Sequence, residues 1–198
     1  MRRSAEQRRR EIIETVLRLS TEVGPDRLSM RAVADAIGLT QPAIFRHFAT
    51  REILWVEVAR HVAGRMRTAW ETVLAAAPPP DRAVLDLVAA QTREVAREPS
   101  ILAIAFSHEL RVANAELAAV FRGLMADFSA RLAASWAGFG TRLTLSPQDA
   151  ALLTLALVQG LALRWSLSGR RFDLTAEARR LLDIQMAGLL RGETGSTS

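Results

Sequence analysis

The chain has 198 residues, a formal net charge of +5 at pH 7 and no cysteine. This length allows one large domain, or a small module joined to a larger one, with a core of ordinary size. The absence of cysteine excludes disulfides, thiolate metal sites, iron–sulfur clusters and cysteine-based catalysis, and it fits a reducing, cytoplasmic compartment.

Neither a secretory signal nor a membrane span is expected. The N-terminus is basic, with arginine at five of the first ten positions, but it lacks an apolar core and a cleavage site. The longest nearly uninterrupted apolar run, residues 150 to 163, covers 14 positions against roughly 20 for a membrane helix. We expect a soluble protein without a membrane partner. The clustered arginines favour a polyanionic binding partner.

Apolar residues recur at helical spacing along most of the chain, and no segment alternates as a strand does. The predicted fold is therefore all-α, with about nine helices. The first helix begins near Ser4, where Gln7 is placed to complete a capping box, and it ends at Gly24 and Pro25.

Three helix starts follow closely. Ser29 is predicted to cap a very short second helix that ends at Gly38, Thr40 a third helix that reaches about residue 48, and Thr50 a much longer fourth helix. Pro42 lies in the first turn of the third helix, where its missing N–H costs nothing. Helices this short must pack on one another.

Prolines and capping residues divide the rest of the chain. Residues 100–112 are predicted to form one helical segment, and residues 193–198 a disordered tail. The other predicted helix starts are Asp81, Asn114, Ser146 and Thr175.

The second and third helices, with the glycine between them, have the spacing of a helix-turn-helix unit. In such a unit the second helix lies in the major groove and flanking groups hold phosphates. Gln41 can read adenine edges, while Arg46 and His47 can donate near the DNA backbone. Ile44 and Phe48 should face inward. The predicted DNA-binding residues are Ser29, Arg31, Thr40, Gln41, Pro42, Ala43, Phe45, Arg46, His47 and Arg51.

The start of the fourth helix adds a candidate phosphate site. Free N–H groups at a helix N-terminus can bind phosphate, and Arg51 adds a positive charge there. The alternative is a plain helical hairpin whose arginines are only solvated. Short helices, capping residues and a glycine turn in the same register favour the DNA-binding interpretation.

Residues 6–66 resemble the DNA-binding domain of the TetR family of bacterial transcriptional regulators, in the glycine, the block LTQPAIFRHF and the new start at Arg51. The resemblance implies a homodimeric, ligand-responsive regulator, usually a repressor, whose helical C-terminal domain would be residues 67–192. The family commonly has Tyr where this chain has Phe45, with the hydroxyl on a phosphate, and Lys where it has Arg51.

The helix after Ser146 is apolar nearly all round, and the last helix has a broad apolar face. A helix of this kind must be covered on every side, which a central core position in a monomer would also achieve. Together the two helices favour a four-helix dimer interface, where TetR-like proteins pair. The predicted interface residues are Leu152, Leu155, Ala162, Leu182, Met186 and Leu189.

Aromatic residues of the C-terminal part are mostly expected to be core. As a set, with a few polar residues, they could also line an apolar cavity for an inducer, which the resemblance places in this part of the chain. The predicted ligand-binding residues are Trp70, Phe106, His108, Phe121, Phe128, Trp136, Gln159 and Trp165.

Catalysis is not expected, and neither is a cofactor or a metal. The three histidines lack metal-binding spacing, and no glycine-rich phosphate loop is present. The sequence thus predicts a sequence-specific DNA-binding regulator, released as a repressor from a palindromic operator by a small apolar inducer. A helical protein-interaction module, or an activator without small-molecule control, are the alternatives.

Overall fold

The fold is all-α, as predicted. A computed structural model describes residues 4–191, and within this range it contains ten α-helices, one short 3-10 helix at Gly140–Arg142 and no strand. The predicted tail, residues 193–198, lies outside the described residues. The helices are α1 (Ala5–Val23), α2 (Met30–Ala36), α3 (Gln41–Phe45), α4 (Arg51–Ala75), α5 (Pro80–Arg97), α6 (Ser100–Phe106), α7 (His108–Ala113), α8 (Ala115–Ala137), α9 (Pro147–Leu167) and α10 (Leu174–Leu189).

Capping side chains begin most of these helices where the sequence predicted them. Ser4 and Gln7 form the complete capping box of α1, with each side chain bonded to the backbone of the other residue. The Ser29 hydroxyl accepts from a backbone N–H in the first turn of α2, and Thr50 does the same for α4. Thr40 occupies the N-cap position of α3, but its side chain makes no capping hydrogen bond.

One predicted helical segment is two helices. Ser107 separates α6 from α7, because its hydroxyl accepts from the Leu110 N–H at 3.0 Å and donates to Asp26 Oδ1 at 2.6 Å. This break raises the number of helices in the described range from the expected nine to ten. A partner 81 positions away in sequence stabilises it, so local patterns could not reveal it.

Two helices start slightly earlier than predicted. α5 begins at Pro80, so Asp81 lies in its first turn rather than capping it. α10 begins at Leu174 and not at Thr175, because Asp173 caps it by accepting from two backbone N–H groups at 2.9 and 3.0 Å.

The described chain divides into two compact units. The first contains residues 4–65 and 98–123, and the second contains residues 66–97 and 124–191. Two of the three unit boundaries fall inside α4 and α8, and the third follows the end of α5 at Arg97. Residues 98–123, which the sequence analysis assigned to the C-terminal domain, therefore group with the N-terminal helices, while the proposed domains 6–66 and 67–192 stay a prediction.

The first unit has its core around α1, which packs on α2 and α6. Ile12 and Val16 of α1 and Val58 of α4 are fully buried. Asn114 ties the start of α8 to α4, since its side-chain amide donates to the Glu52 carbonyl oxygen at 2.9 Å.

The second unit packs α10 against α5 and α9, around large aromatic side chains. The rings of Trp70 and Phe128 stack with their centroids 4.8 Å apart. The indole N–H of Trp70 donates to Gln91 and that of Trp136 to Thr154, each at 3.1 Å. Both buried donors are thus satisfied within the unit.

α9 is long and apolar enough, by length and composition alone, to cross a membrane. The 14-position apolar run considered in the sequence is shorter because it counts only the uninterrupted part of this helix. A core helix of a soluble protein meets the same criteria, and α9 packs on α5 and α10.

Candidate nucleic-acid interface

The turn between α2 and α3 forms a helix-turn-helix unit. Gly38 has a φ of +66°, a left-handed conformation that glycine adopts without strain. The Leu39 N–H donates to the Ala34 carbonyl oxygen at 2.9 Å and closes the end of α2. Val33 and Ala34 are buried, and α2 packs on α3. The small side chain at residue 34 allows the two helices to approach closely.

The two sides of α3 and of the residues that flank it, 40 and 46–48, differ sharply in exposure. Ile44 and Phe48 are buried, at 0% and 1% exposure, which confirms the prediction that they face inward. Thr40, Gln41 and Arg46 are exposed, as is Pro42. Ala43, Phe45 and His47 are half-buried. Because the inward side chains fix α3 in place, the outward ones form a short row that an extended polar ligand can reach.

The residues predicted to contact DNA from α2 also lie on the surface. Ser29 and Arg31 are exposed, and the Arg31 guanidinium is 3.9 Å from the Asp35 carboxylate. Both charged side chains are highly exposed, so this pair is weak and leaves Arg31 able to exchange its partner for a phosphate.

Some hydrogen-bond donors at the start of α4 already have partners within the chain. Thr50 accepts from the Ile53 N–H at 3.2 Å. The pKa of the Glu52 carboxyl is lowered, first by its own backbone N–H and then by the Thr50 hydroxyl. Arg51 is half-buried, and its Nε is buried without a hydrogen-bond partner. The N-terminus of α4 thus already holds one carboxylate, while Arg51 keeps an unused donor.

Arginines at the basic start of the chain form ion pairs with glutamates of the chain itself. Arg8 pairs with Glu11 at 2.6 Å, and Arg10 lies 3.8 Å from Glu6. Arg9 reaches across to the His47 carbonyl after α3 and to Glu57 of α4. Arg2 and Arg3 lie outside the described residues. The glutamates three and four positions from these arginines were the sequence signal for such pairs.

The predicted ligand-binding residues fall into two groups. Trp70, Phe128, Trp136, Gln159 and Trp165 belong to the second unit, and the first three are fully buried. Gln159 is half-buried and donates to the Met125 sulfur at 3.5 Å.

The other candidates belong to the first unit. Phe121 is buried, whereas Phe106 and His108 are exposed. The structure therefore does not bring the eight candidates together within one unit.

A groove of about 450 Å³ lies elsewhere in the second unit. Its wall includes Leu74, Pro80, Ser135 and Gly138, and the guanidinium of Arg131 provides its charge. None of the predicted ligand-binding residues lines it. No pattern along the sequence pointed to this groove, because its wall comes from the end of α4, the start of α5 and the end of α8.

The predicted dimer residues differ in exposure. Ala162, Leu182 and Met186 are buried within the chain itself. Leu155 and Leu189 are half-buried, and Leu152 is 60% exposed.

Large apolar side chains outside the predicted set are also exposed on the same two helices: Leu153, Leu163, Leu167 and Ile184. The outward side of an all-apolar helix cannot be chosen from its sequence, because every side has the same composition.

A family match covers the helix-turn-helix unit. Residues 12–58 match the family described as bacterial regulatory proteins, tetR family. The chain is also similar to the HTH-type transcriptional repressor Rv1474c of Mycobacterium tuberculosis (strain ATCC 25618 / H37Rv), with 37% identity over 59 residues, or 30% of this chain and 32% of that protein. The match thus spans about a third of that relative.

Two solved structures share the fold over nearly the whole chain. A transcriptional regulator from Saccharomonospora viridis in complex with choline has a TM-score of 0.81 at 18% identity, covering 94% of this chain and all of that one. Thermus thermophilus FadR, a TetR family transcriptional repressor in complex with lauroyl-CoA, has a TM-score of 0.64 at 20% identity, covering 96% and 99%. These identities show the fold alone. Residues 12–58 thus match the tetR family of bacterial regulatory proteins, and the fold of nearly the whole chain is shared with these two regulators.

Proposed function

We propose that the protein is a cytoplasmic, sequence-specific transcriptional repressor that binds a palindromic DNA operator as a homodimer and leaves it when a small apolar inducer binds. The outward row of α3 carries this proposal. Thr40, Gln41 and Arg46 are exposed at a surface that Ile44 and Phe48 hold in place from below. A rigid helix with exposed polar side chains is what reading base edges requires.

Each exposed residue has a role that its chemistry allows. Gln41 reads an adenine edge through its amide, and Thr40 and Ala43 offer a hydroxyl and a methyl group to neighbouring bases. Arg46 and His47 donate to the DNA backbone. Arg51, which is half-buried, offers the positive charge of its guanidinium to a phosphate at the start of α4.

The homodimer forms through the exposed apolar side of α9 and α10. Leu152, Leu163, Leu167 and Ile184 are between 47% and 80% exposed and would be covered by a second copy. A two-fold dimer positions its two recognition helices so that they can enter successive major grooves, which lie about one turn of DNA apart. A palindromic operator follows from that symmetry.

The inducer acts through α4, which contributes residues to both units. Ligand binding among the helices of the second unit shifts α4, moves Arg51 and spreads the recognition helices. A ligand achieves this only if it binds the released state more tightly than the DNA-bound state. Relatives of the same fold that were solved with lauroyl-CoA and with choline support a ligand in this role. An inducer that saturates the protein without changing operator affinity would contradict the mechanism.

The test is binding to DNA from immediately upstream of the protein's own gene, at two salt concentrations. Wild type is compared with a Gln41→Ala, Arg46→Ala double variant and with Arg82→Ala, which removes an exposed arginine of α5. We expect selective, salt-sensitive binding that the double variant loses and the control keeps. If no sequence is selected, either from this fragment or from a genomic library, the proposal is wrong.

A further inference from the structure

We propose that Arg9 is a positioning residue for the recognition helix, which it holds from α1 without itself contacting DNA. The inference rests on the proposed DNA-binding function and deepens it. It concerns a residue outside the helix-turn-helix unit, within an arginine bunch whose composition indicates direct contact with a polyanion.

Three contacts join Arg9 to the end of α3 and to α4. Its Nη1 donates to the carbonyl oxygen of His47. Its Nη2 lies 3.3 Å from Glu57 Oε2. Its guanidinium carbon lies 4.3 Å above the centre of the Phe48 ring. The Arg9 side chain is only 38% exposed, although its neighbour Arg10 is 64% exposed. The Arg9 guanidinium therefore makes its contacts within the protein and not with solvent alone.

The His47 carbonyl is a favourable place for a cation. α3 ends at Phe45, so the His47 carbonyl lies just beyond the helix, and a carbonyl oxygen accepts a stronger hydrogen bond from a cation than from an uncharged donor. Holding this carbonyl fixes the orientation of α3, whose N-terminal end carries the exposed Thr40 and Gln41 that are proposed to read bases. The cation over the Phe48 ring also holds the side chain that packs α3 inward.

Glu57 keeps the guanidinium in place from the other side. Its second oxygen, Oε1, accepts from Arg60 at 2.6 Å, and Arg60 in turn bonds Glu116 of α8 at 2.5 Å. A carboxylate held on both oxygens restricts Arg9 more than a mobile one would. The chain Arg9–Glu57–Arg60–Glu116 thus fixes the end of α3 to helices α1, α4 and α8.

A positioning role and a phosphate contact predict different salt dependence. Removing one phosphate contact makes the slope of log affinity against log salt less negative by about 0.9, so a substitution present in both subunits of the dimer changes it by about twice as much. Removing a positioning contact leaves the slope unchanged, lowers affinity for the operator and spares affinity for random DNA. A merely structural role changes the melting temperature and leaves the ratio of the two affinities unaltered.

The experiment measures the dissociation constant for operator and for random-sequence DNA across a salt series, with Arg9→Ala, Arg9→Lys and Glu57→Gln, far below each melting temperature. We expect operator affinity to fall by about tenfold or more in both Arg9 variants, as for loss of one charged hydrogen bond. Lys keeps the charge but lacks the planar guanidinium that makes all three contacts. The salt slope stays that of wild type.

Glu57→Gln gives the sharpest outcome, because it removes a negative charge. Electrostatics alone would then raise DNA affinity, whereas the positioning role requires operator affinity to fall. Glu6→Gln, which removes the acidic partner of Arg10, is the matched control and should not lower it.

A reduced slope in Arg9→Ala, equal losses for operator and random DNA, or unchanged operator affinity would each overturn the inference. Wild type without selective binding would overturn the proposed function as well. Variants that match a selective wild type would overturn this inference alone.

Discussion

Phe45 stands at the edge of the recognition surface without a polar group. It is half-buried on α3, and the resemblance to the TetR family implies a tyrosine at this position whose hydroxyl contacts a phosphate. Phe45→Tyr should tighten operator binding by roughly threefold to tenfold, the effect of one added hydrogen bond. Equilibrium titration against operator DNA measures this. Phe106→Tyr, at an exposed phenylalanine of α6, should have no effect, and an equal gain in both variants would contradict the prediction.

His61 makes stability depend on pH. Burial chiefly lowers the pKa of this half-buried side chain, and the charge of Arg65 lowers it further, against the opposite effects of Glu14 and Glu98. Since the unfolded value is about 6.5, the unfolded state binds more protons between the two pKa values. The stability that neutral His61 provides is complete above the unfolded pKa and is lost as pH falls through the folded pKa.

Denaturant unfolding near pH 7.5 and near pH 5.5 tests this linkage. His61→Gln should lose less stability between these values than wild type does, because it has no proton to take up at this position. His108→Gln, at an exposed histidine, should behave as wild type. An equal loss in wild type and His61→Gln would show that other groups cause the pH dependence.

At the level of elements, the turn between α2 and α3 depends on backbone conformation and not on space. No atom lies within 4 Å of where a Cβ at Gly38 would be, but its φ of +66° disfavours any L side chain. Gly38→Ala should therefore lower the free energy of unfolding by about 1–2 kcal/mol.

Gly64 provides the matched control inside α4. It is exposed, and a Cβ there would also meet nothing within 4 Å. Gly64→Ala should raise the free energy of unfolding by about 0.5–1 kcal/mol, because alanine favours a helix interior. Chemical denaturation compares the two variants. A destabilised Gly64→Ala, or a neutral Gly38→Ala, would contradict this account of the turn.

At the level of the whole molecule, α9 carries an apolar surface that one copy leaves uncovered. Leu163 and Leu167 are 47% and 80% exposed on the proposed dimer face. The double variant Leu163→Glu, Leu167→Glu should be monomeric by sedimentation velocity, because it places charges in the interface. Its operator affinity should fall by at least about a hundredfold, since linked half-sites gain that much by avidity.

Val112→Glu is the control for this interface. Val112 is 72% exposed in the first unit, outside α9 and α10, so its replacement should leave the dimer intact. If the double variant remains a dimer, the pair forms elsewhere and the proposed face is wrong.

Local patterns along the sequence determined the fold class, most helix starts and the helix-turn-helix unit. Ser4 with Gln7, Ser29 and Thr50 cap their helices through bonds to residues three positions away, and Gly38 forms its turn within the same short segment. Such interactions depend on close neighbours in sequence, which is why periodicity and residue type were enough to predict them, including the inward side of α3.

Tertiary structure alone decided which partners the charged residues take and which apolar sides face out. Arg9 bonds residues 38 and 48 positions away, so nothing near it in sequence marks it as a link between helices. Leu182 is buried and Ile184 is exposed on the same helix because α5 and α9 cover one side of α10. The sequence of a helix that is apolar on every side shows that the helix must be covered. Only the packing of the neighbouring helices determines which side stays exposed for a partner.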